Sequence, residues 1–246
     1  IPAHAQQAHS TLPTLAAASD LKFAIEEVAA KFEKETGQKI RLVFGSSGNF
    51  YSQIAQGAPF HLFMSADENF VFKLADAGKT EDRGRLYAKG RIGILVPKGS
   101  ALKADGELKD LAAALKDGRL KKFAIASPEH APYGMRAKEA LEYASLWQAI
   151  EPKLVVGENI SQAAQFATSG SGQGGIIALS LAMAPQVGGL GEFAAGNRAK
   201  LIRFDKQVGR QREFDLRLGD LLKKGESKAN VMLQPGDVII IPESMF

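Results

Sequence analysis

Serine residues stand at two places where a strand hands over to a helix. Residues 15–19 read LAAAS and residues 44–48 read FGSSG; each is a short apolar run, then small residues and a serine, then an amphipathic segment. That order is the signature of a buried strand turning tightly into a helix. After Ser19, the residues Leu21, Ile25, Val28 and Phe32 form one helical stripe, with Asp20 in the first turn and Gly37 just past the end, so Ser19 is placed as an N-cap. Ser47 is placed in the same way ahead of Phe50 and Ile54. A helix N-terminus presents unpaired N–H donors and a partial positive charge, so two of them facing one cleft hold a small anion without any lysine or arginine. Serine is also among the commonest ordinary N-caps, and spacing alone leaves both readings open.

Two later turns have the same form. Residues 127–134, SPEHAPYG, close a strand and open a helix, with Tyr133 at the helix entrance, and residues 157–161, GENIS, lead into a helix beginning near Ile160.

The elements that must position these turns alternate along the chain. The first set is a strand near 12–17, a helix over 20–36, a strand over 39–44, a helix over 47–56, a strand over 61–65 and a helix over 67–77. This is the βαβαβ rhythm of a parallel sheet, whose ligands collect at the carboxyl ends of the strands, where Ser19, Ser47 and the stretch from Ser65 to Asp67 fall. Residues 85–97, RLYAKGRIGILVP, give a strand that crosses into a second α/β set: helix 107–117, strand 122–126, helix 134–145, strand 153–156, helix 160–168 and strand 175–179. The expected fold class is therefore α/β, with lobe 1 over 11–85, lobe 2 over 86–180 and an atypical segment over 186–246. Two lobes joined by extended crossovers imply a cleft that closes by hinge motion around a small ligand.

Bulk properties narrow the function classes. The 246 residues suffice for a sizeable core, and 31 basic against 27 acidic residues give a formal charge of +4 with no long block of one sign. That is a solvated surface rather than a nucleic-acid footprint, and the 8% aromatic residues are not interleaved with basic clusters. The absence of cysteine excludes disulfides and thiolate chemistry. No apolar run is long enough to span a membrane. Ala3-His4-Ala5 followed by Gln6 has the small-x-small form that ends a secretory signal peptide, so an exported protein is expected.

Enzyme signatures are missing. His4, His9, His61 and His130 show no metal-ligand spacing, there is no GxSxG elbow, and GSGQGG at 170–175 precedes a strand instead of following one, so it reads as a flexible loop. Trp147 and Leu146 read as core.

Taken in order, LAAAS, KFEKETG, FGSSG, QIAQGAP, LFMSADE, SPEHAPYG, AKEAL, GENISQAAQFA and GIIALSLA resemble the periplasmic molybdate-binding proteins of ABC importers, over about residues 12–185. The resemblance implies a two-lobed type II periplasmic binding fold that takes up a tetrahedral oxyanion, molybdate or tungstate, and delivers it to a membrane permease. It also implies a monomer with no enzymatic activity and no cofactor beyond the ligand. Transferred position by position, it makes Ser19 and Ser47 hydroxyl and backbone N–H donors, Tyr133 a hydroxyl donor and Ile160 a backbone N–H donor. Some members use a tyrosine in the GIVY segment, where this chain has Ala178; Tyr133 stands in its place as the phenol. Molybdate, tungstate and sulfate carry no proton near neutral pH, so donors alone suffice, whereas a phosphate site normally needs a carboxylate to accept the phosphate proton. Glu129, His130 and Glu158, adjacent in sequence, are expected to point outward or to hold the turns.

From about Gln186 the pattern changes. Residues 187–204 and 217–246, with an alternating VIII strand and a QPGD turn, are similar to the end of the soluble β-grasp (SLBB) domain of outer-membrane polysaccharide export proteins. The alternatives are a tail packed on lobe 1, a loosely ordered tail, or a divergent completion of lobe 1. On this stretch rests a second functional reading, a structural part in polysaccharide export.

Overall fold

The computed structural model describes residues 12–183, 199–205, 210–216 and 238–240. The possible signal-peptide remnant at residues 3–5, the QPGD turn at 234–237 and most of the SLBB-like stretch lie outside them. The chain divides into two compact units, with the boundary between Leu86 and Tyr87.

The first unit holds a parallel sheet of three strands, β1 (Thr14–Ala18), β2 (Arg41–Gly45) and β3 (Leu62–Met64), in the order β2-β1-β3. The register sets Ala18 opposite Gly45 and Ala17 opposite Met64, so all three strands end at one edge. The central strand has the small residues Ala16, Ala17 and Ala18, all buried. The helices are α1 (Lys22–Thr36), α2 (Ser47–Ala55) and α3 (Glu68–Asp76). Helix α1 ends as expected on Gly37, which takes φ 71° where a side chain would be strained. Phe50 of α2 is buried over Gly45 and meets Phe60 and Phe63 edge-on, with ring centroids 5.4 and 6.3 Å away.

Two expected caps are shifted. Ser19 is not a side-chain N-cap: Ala18 occupies the cap position of a 3-10 turn, Ser19–Leu21, that precedes α1. Such a turn tightens the helix entrance through i→i+3 bonding, which draws the serine inside the first turn. At α2 the capping hydroxyl belongs to Ser46, which accepts from the Asn49 N–H at 3.4 Å, and Ser47 becomes the first helical residue. Of two adjacent serines, the one with extended backbone (φ −84°, ψ 144°) is the one whose oxygen can turn back on the helix.

The second unit contains a mixed sheet in the order β4-β7-β5-β6, formed by β4 (Ile92–Leu95), β5 (Phe123–Ala126), β6 (Leu154–Gly157) and β7 (Gly175–Ala178). Strand β4 runs antiparallel to β7, and the other pairs are parallel. Around it lie α4 (Lys109–Lys116), α5 (Pro132–Tyr143), the short α6 (Trp147–Ile150), α7 (Ile160–Thr168) and the short α8 (Leu179–Ala182). Its core joins Leu111, Leu120, Phe123, Ile125, Leu141 and Ile150, with Leu146 and Trp147 packed against it as expected. The helix expected from 134 starts at Pro132, because proline fits the first helical position, where its missing N–H has no bond to make.

The 170–175 loop is not loose. Gln173 accepts from the Lys121 and Lys122 N–H groups and donates to the Arg119 carbonyl, while Ser100 donates to the Gln173 carbonyl at 2.6 Å. In the C-terminal region β8 (Ala199–Asp205), β9 (Arg210–Leu216) and β10 (Val238–Ile240) form a separate antiparallel sheet in the order β10-β8-β9. Among the described residues no helix is long and apolar enough to cross a membrane.

Candidate functional site

The candidate residues lie at the carboxyl ends of parallel strands in each unit. In the first unit Ser19 directly follows β1 and Ser47 follows its neighbour β2, and the two strands end in register at Ala18 and Gly45. Neighbouring strands run about 4.8 Å apart, so the fold brings Ser19 and Ser47 to the same edge. Both are buried, with 4% and 1% of their surface exposed. A third turn, after β3, completes the arrangement: the Ala66 N–H donates to Ser47 Oγ at 2.9 Å. A hydroxyl that accepts in this way keeps its own proton to donate. Asp67 caps α3 by accepting from the Asn69 N–H at 2.9 Å, and Ser65 Oγ donates to the Asp67 carbonyl at 2.7 Å. Ser46, Ser65 and Asp67 are buried as well. The first unit thus concentrates buried hydroxyls and helix N-termini at one sheet edge, an arrangement of donors suited to an anion.

The second unit repeats the plan with different materials. Strands β5 and β6 end opposite each other at Ala126 and Gly157, and the following turns lead into α5 and α7. Both helices sit close on the strand ends because of glycine. A Cβ on Gly134 would lie 2.3 Å from the Ser127 carbonyl oxygen, and one on Gly157 would lie 2.6 Å from the Ala163 nitrogen. Tyr133, second residue of α5, is buried, and its hydroxyl would lie 2.7 Å from a Cβ at Gly90. Only a glycine just ahead of β4 leaves the phenol that place.

Ile160 opens α7 behind Asn159, whose side chain accepts from the Gln162 N–H at 3.1 Å. Helix geometry leaves the first-turn N–H groups without carbonyl partners in the helix itself, and Ile160 supplies the first of them. Among the described residues no group of three or more His, Asp or Glu side chains could hold a metal ion.

Sequence reasoning nominated Ser19, Ser47, Tyr133 and Ile160, and the structure puts the first two at adjacent strand ends of the first unit and the last two at helix starts of the second. That reasoning missed the Ala66 amide behind Ser47 and the Gly90 seat for Tyr133. Both are contacts between residues far apart in the chain, for which no local pattern exists.

The pattern of the bacterial extracellular solute-binding proteins matches residues 13–202. The chain belongs to this family. Among its relatives is the molybdate-binding protein ModA of Azotobacter vinelandii, 36% identical over 197 residues that cover 79% of this chain and 76% of the relative. The ModA of Rhodobacter capsulatus is 36% identical over 67% of this chain, which spans 63% of that relative's length. The structure of the Azotobacter vinelandii periplasmic molybdate-binding protein superposes with a TM-score of 0.60 at 28% identity, covering 74% of this chain and 77% of the other. The solute-binding protein is thus an α/β protein of the periplasmic-binding class. The family match ends at residue 202, inside β8, so most of the C-terminal sheet lies beyond it.

Proposed function

We propose that this solute-binding protein captures molybdate or tungstate in the periplasm and delivers it to the membrane subunits of an ABC importer. The donors assigned to it are Ser19 and Ser47 of the first unit and Tyr133 and Ile160 of the second. The observation that carries the reading is the pair of buried serines at adjacent strand ends, in a chain 36% identical to a molybdate-binding relative. Hydroxyls and main-chain N–H groups are neutral donors, and in a site shielded from water they hold an unprotonated dianion through charge-assisted hydrogen bonds without a counter-cation. None of the four carries a carboxylate, the charged acceptor that favours a protonated phosphate oxygen.

Selection of molybdate over sulfate then depends on cage size, because the donor pattern is the same for both. The protein works by binding alone, with no bound cofactor. The tail beyond residue 202 is an addition to the binding fold; its β-sheet and its SLBB resemblance are what support a separate role for it, such as contact with polysaccharide export machinery.

Calorimetric titration with molybdate, tungstate, sulfate and phosphate tests the reading. Binding of the first two, with weak sulfate binding and none for phosphate, is expected, and Ser19→Ala together with Ser47→Ala is expected to abolish it. A preference for phosphate would refute the assignment.

A further inference from the structure

One imidazole joins the two turns of the second unit. His130 Nε2 lies 2.9 Å from Glu158 Oε1 and 3.1 Å from the Glu158 carbonyl oxygen, while Nδ1 lies 3.0 Å from Ser127 Oγ. Both groups facing Nε2 are acceptors, which assigns the ring proton of the neutral imidazole to Nε2 and leaves Nδ1 to accept from the Ser127 hydroxyl. Ser127 Oγ accepts in turn from the Glu129 N–H at 3.3 Å, and the Glu158 N–H donates to Gln162 Oε1 at 2.6 Å. A continuous line of hydrogen bonds therefore runs from the turn after β5, through the ring, to the turn after β6 and the first helical turn of α7. Ser127 is buried, and the imidazole is only 23% exposed.

The position of this bridge gives it a consequence for binding. Where the strands end, the turns are tied by the Ser127 N–H donating to the Gly157 carbonyl at 2.8 Å. Beyond that point His130 ties them again, three residues before Tyr133 and, through Glu158, one residue after the strand end at position 157; Glu158 itself precedes Ile160 by two. The bridge also occupies a carboxylate. Glu158 stands two residues from a main-chain N–H meant for a dianion, and the hydrogen bond from ring Nε2–H holds its carboxylate in place.

We propose that His130 is a positioning residue for anion binding: by bridging Ser127 and Glu158 it sets the separation of the Tyr133 hydroxyl from the Ile160 N–H, and with it the ion size the site accepts. The inference rests on the oxyanion reading above. In a site whose donors are identical for every tetrahedral dianion, the spacing of those donors is the only selective property, so loosening the bridge relaxes selectivity as well as affinity.

The test is titration of the full chain and of His130→Ala with sodium molybdate and sodium sulfate, beside thermal melts of the ligand-free proteins. The expected result is a folded variant with molybdate affinity lowered about five- to tenfold, the effect of one or two lost hydrogen bonds, and a smaller molybdate-to-sulfate ratio. His130→Gln is expected to recover part of both, since its carboxamide offers one donor and one acceptor. Unchanged affinity and ratio in folded His130→Ala overturn the proposal, as does an affinity loss that leaves the ratio intact and merely follows the loss of thermal stability. If His130→Ala does not fold, Ser127→Ala, which keeps the ring and its Glu158 contact, decides by the same two readings. Failure of the parent protein to bind either ion overturns the oxyanion reading and this inference together, whereas parent binding with an insensitive variant overturns the inference alone.

Discussion

The two units fill their interiors with different chemistry. In the second, every residue of β5 and β7 is buried, and Leu111, Leu120, Phe123, Leu141 and Ile177 are at most 1% exposed. In the first, β1 is buried but β2 and β3 are only partly so, α1 has no fully buried residue, and Val28 and Leu62 are 61% and 56% exposed. Five of the six buried polar side chains among the described residues, Ser19, Ser46, Ser47, Ser65 and Asp67, belong to this thinner unit. The difference teaches that the same strand-to-helix plan serves two ends. One unit rests on an apolar core and holds its turns by a histidine bridge and close glycines; the other gathers hydroxyls and helix N-termini at the sheet edge, with less apolar cover behind them.

The largest test of this contrast is truncation of the two helical stripes. Leu141→Ala removes a fully buried side chain of α5 and is expected to cost about 2–5 kcal/mol. Phe32→Ala, on the half-buried stripe of α1, is expected to cost less than half as much. Denaturant midpoints measure both, and equal costs would break the comparison.

Next come the caps, where the units should behave alike despite their different cores. Ser46→Ala and Asn159→Ala each remove one side-chain acceptor at a helix start and are each expected to lower stability by about 1 kcal/mol, read from the same midpoints. Ser47→Ala, by contrast, removes no cap; it takes the acceptor from the Ala66 N–H, so a stability cost of about 1 kcal/mol is expected beside the loss of anion affinity.

A smaller gain is expected in the second unit from Ser145→Gly. Ser145 holds φ 58° just past α5, a left-handed conformation that glycine adopts without the Cβ penalty. The variant is expected to raise the midpoint by the equivalent of about 0.5–1 kcal/mol.

The smallest effect concerns the surface of the second unit and fades in acid. The Lys103 N–H and the Arg119 guanidinium hold the Asp110 carboxyl below its ordinary value of 3.8, and Arg119 does the same for Asp117. A carboxyl with a lowered folded value contributes stability that is complete above its unfolded value and is lost as pH falls through the folded one. Arg119→Gln is therefore expected to lower stability slightly near neutral pH, with the difference from the parent protein closing as pH falls below about 3.8. Acid titration followed by circular dichroism checks this, and added salt should shrink the difference, since Asp117 is exposed and Asp110 and Arg119 are only half-buried.

Much of the architecture was legible before the structure. The alternation of apolar strands with amphipathic helices is a local property, and it located β1 to β3, β5 to β7 and the long helices because strand and helix periods differ along a dozen residues. Gly37 marked the end of α1 because backbone preference acts within a few residues, whereas the start of α5 fell two residues before the expected 134, at Pro132. The positions of Ser19 and Ser47 at strand ends follow from that pattern too. Which serine caps α2 did not follow, because Ser46 and Ser47 are chemically identical and only the backbone angles tell them apart.

What the sequence by itself determined, then, is the order of elements and the kind of residue standing at each strand-to-helix turn. Tertiary structure alone decided which of those residues meet: Ala66 with Ser47 across 19 positions, His130 with Glu158 across 28, and Tyr133 with Gly90 across the interval between two strands. The physical reason is that a hydrogen bond or a close approach depends on distance in space. Strand register and helix packing fix that distance, and no stretch of chain records it until the sheet has formed.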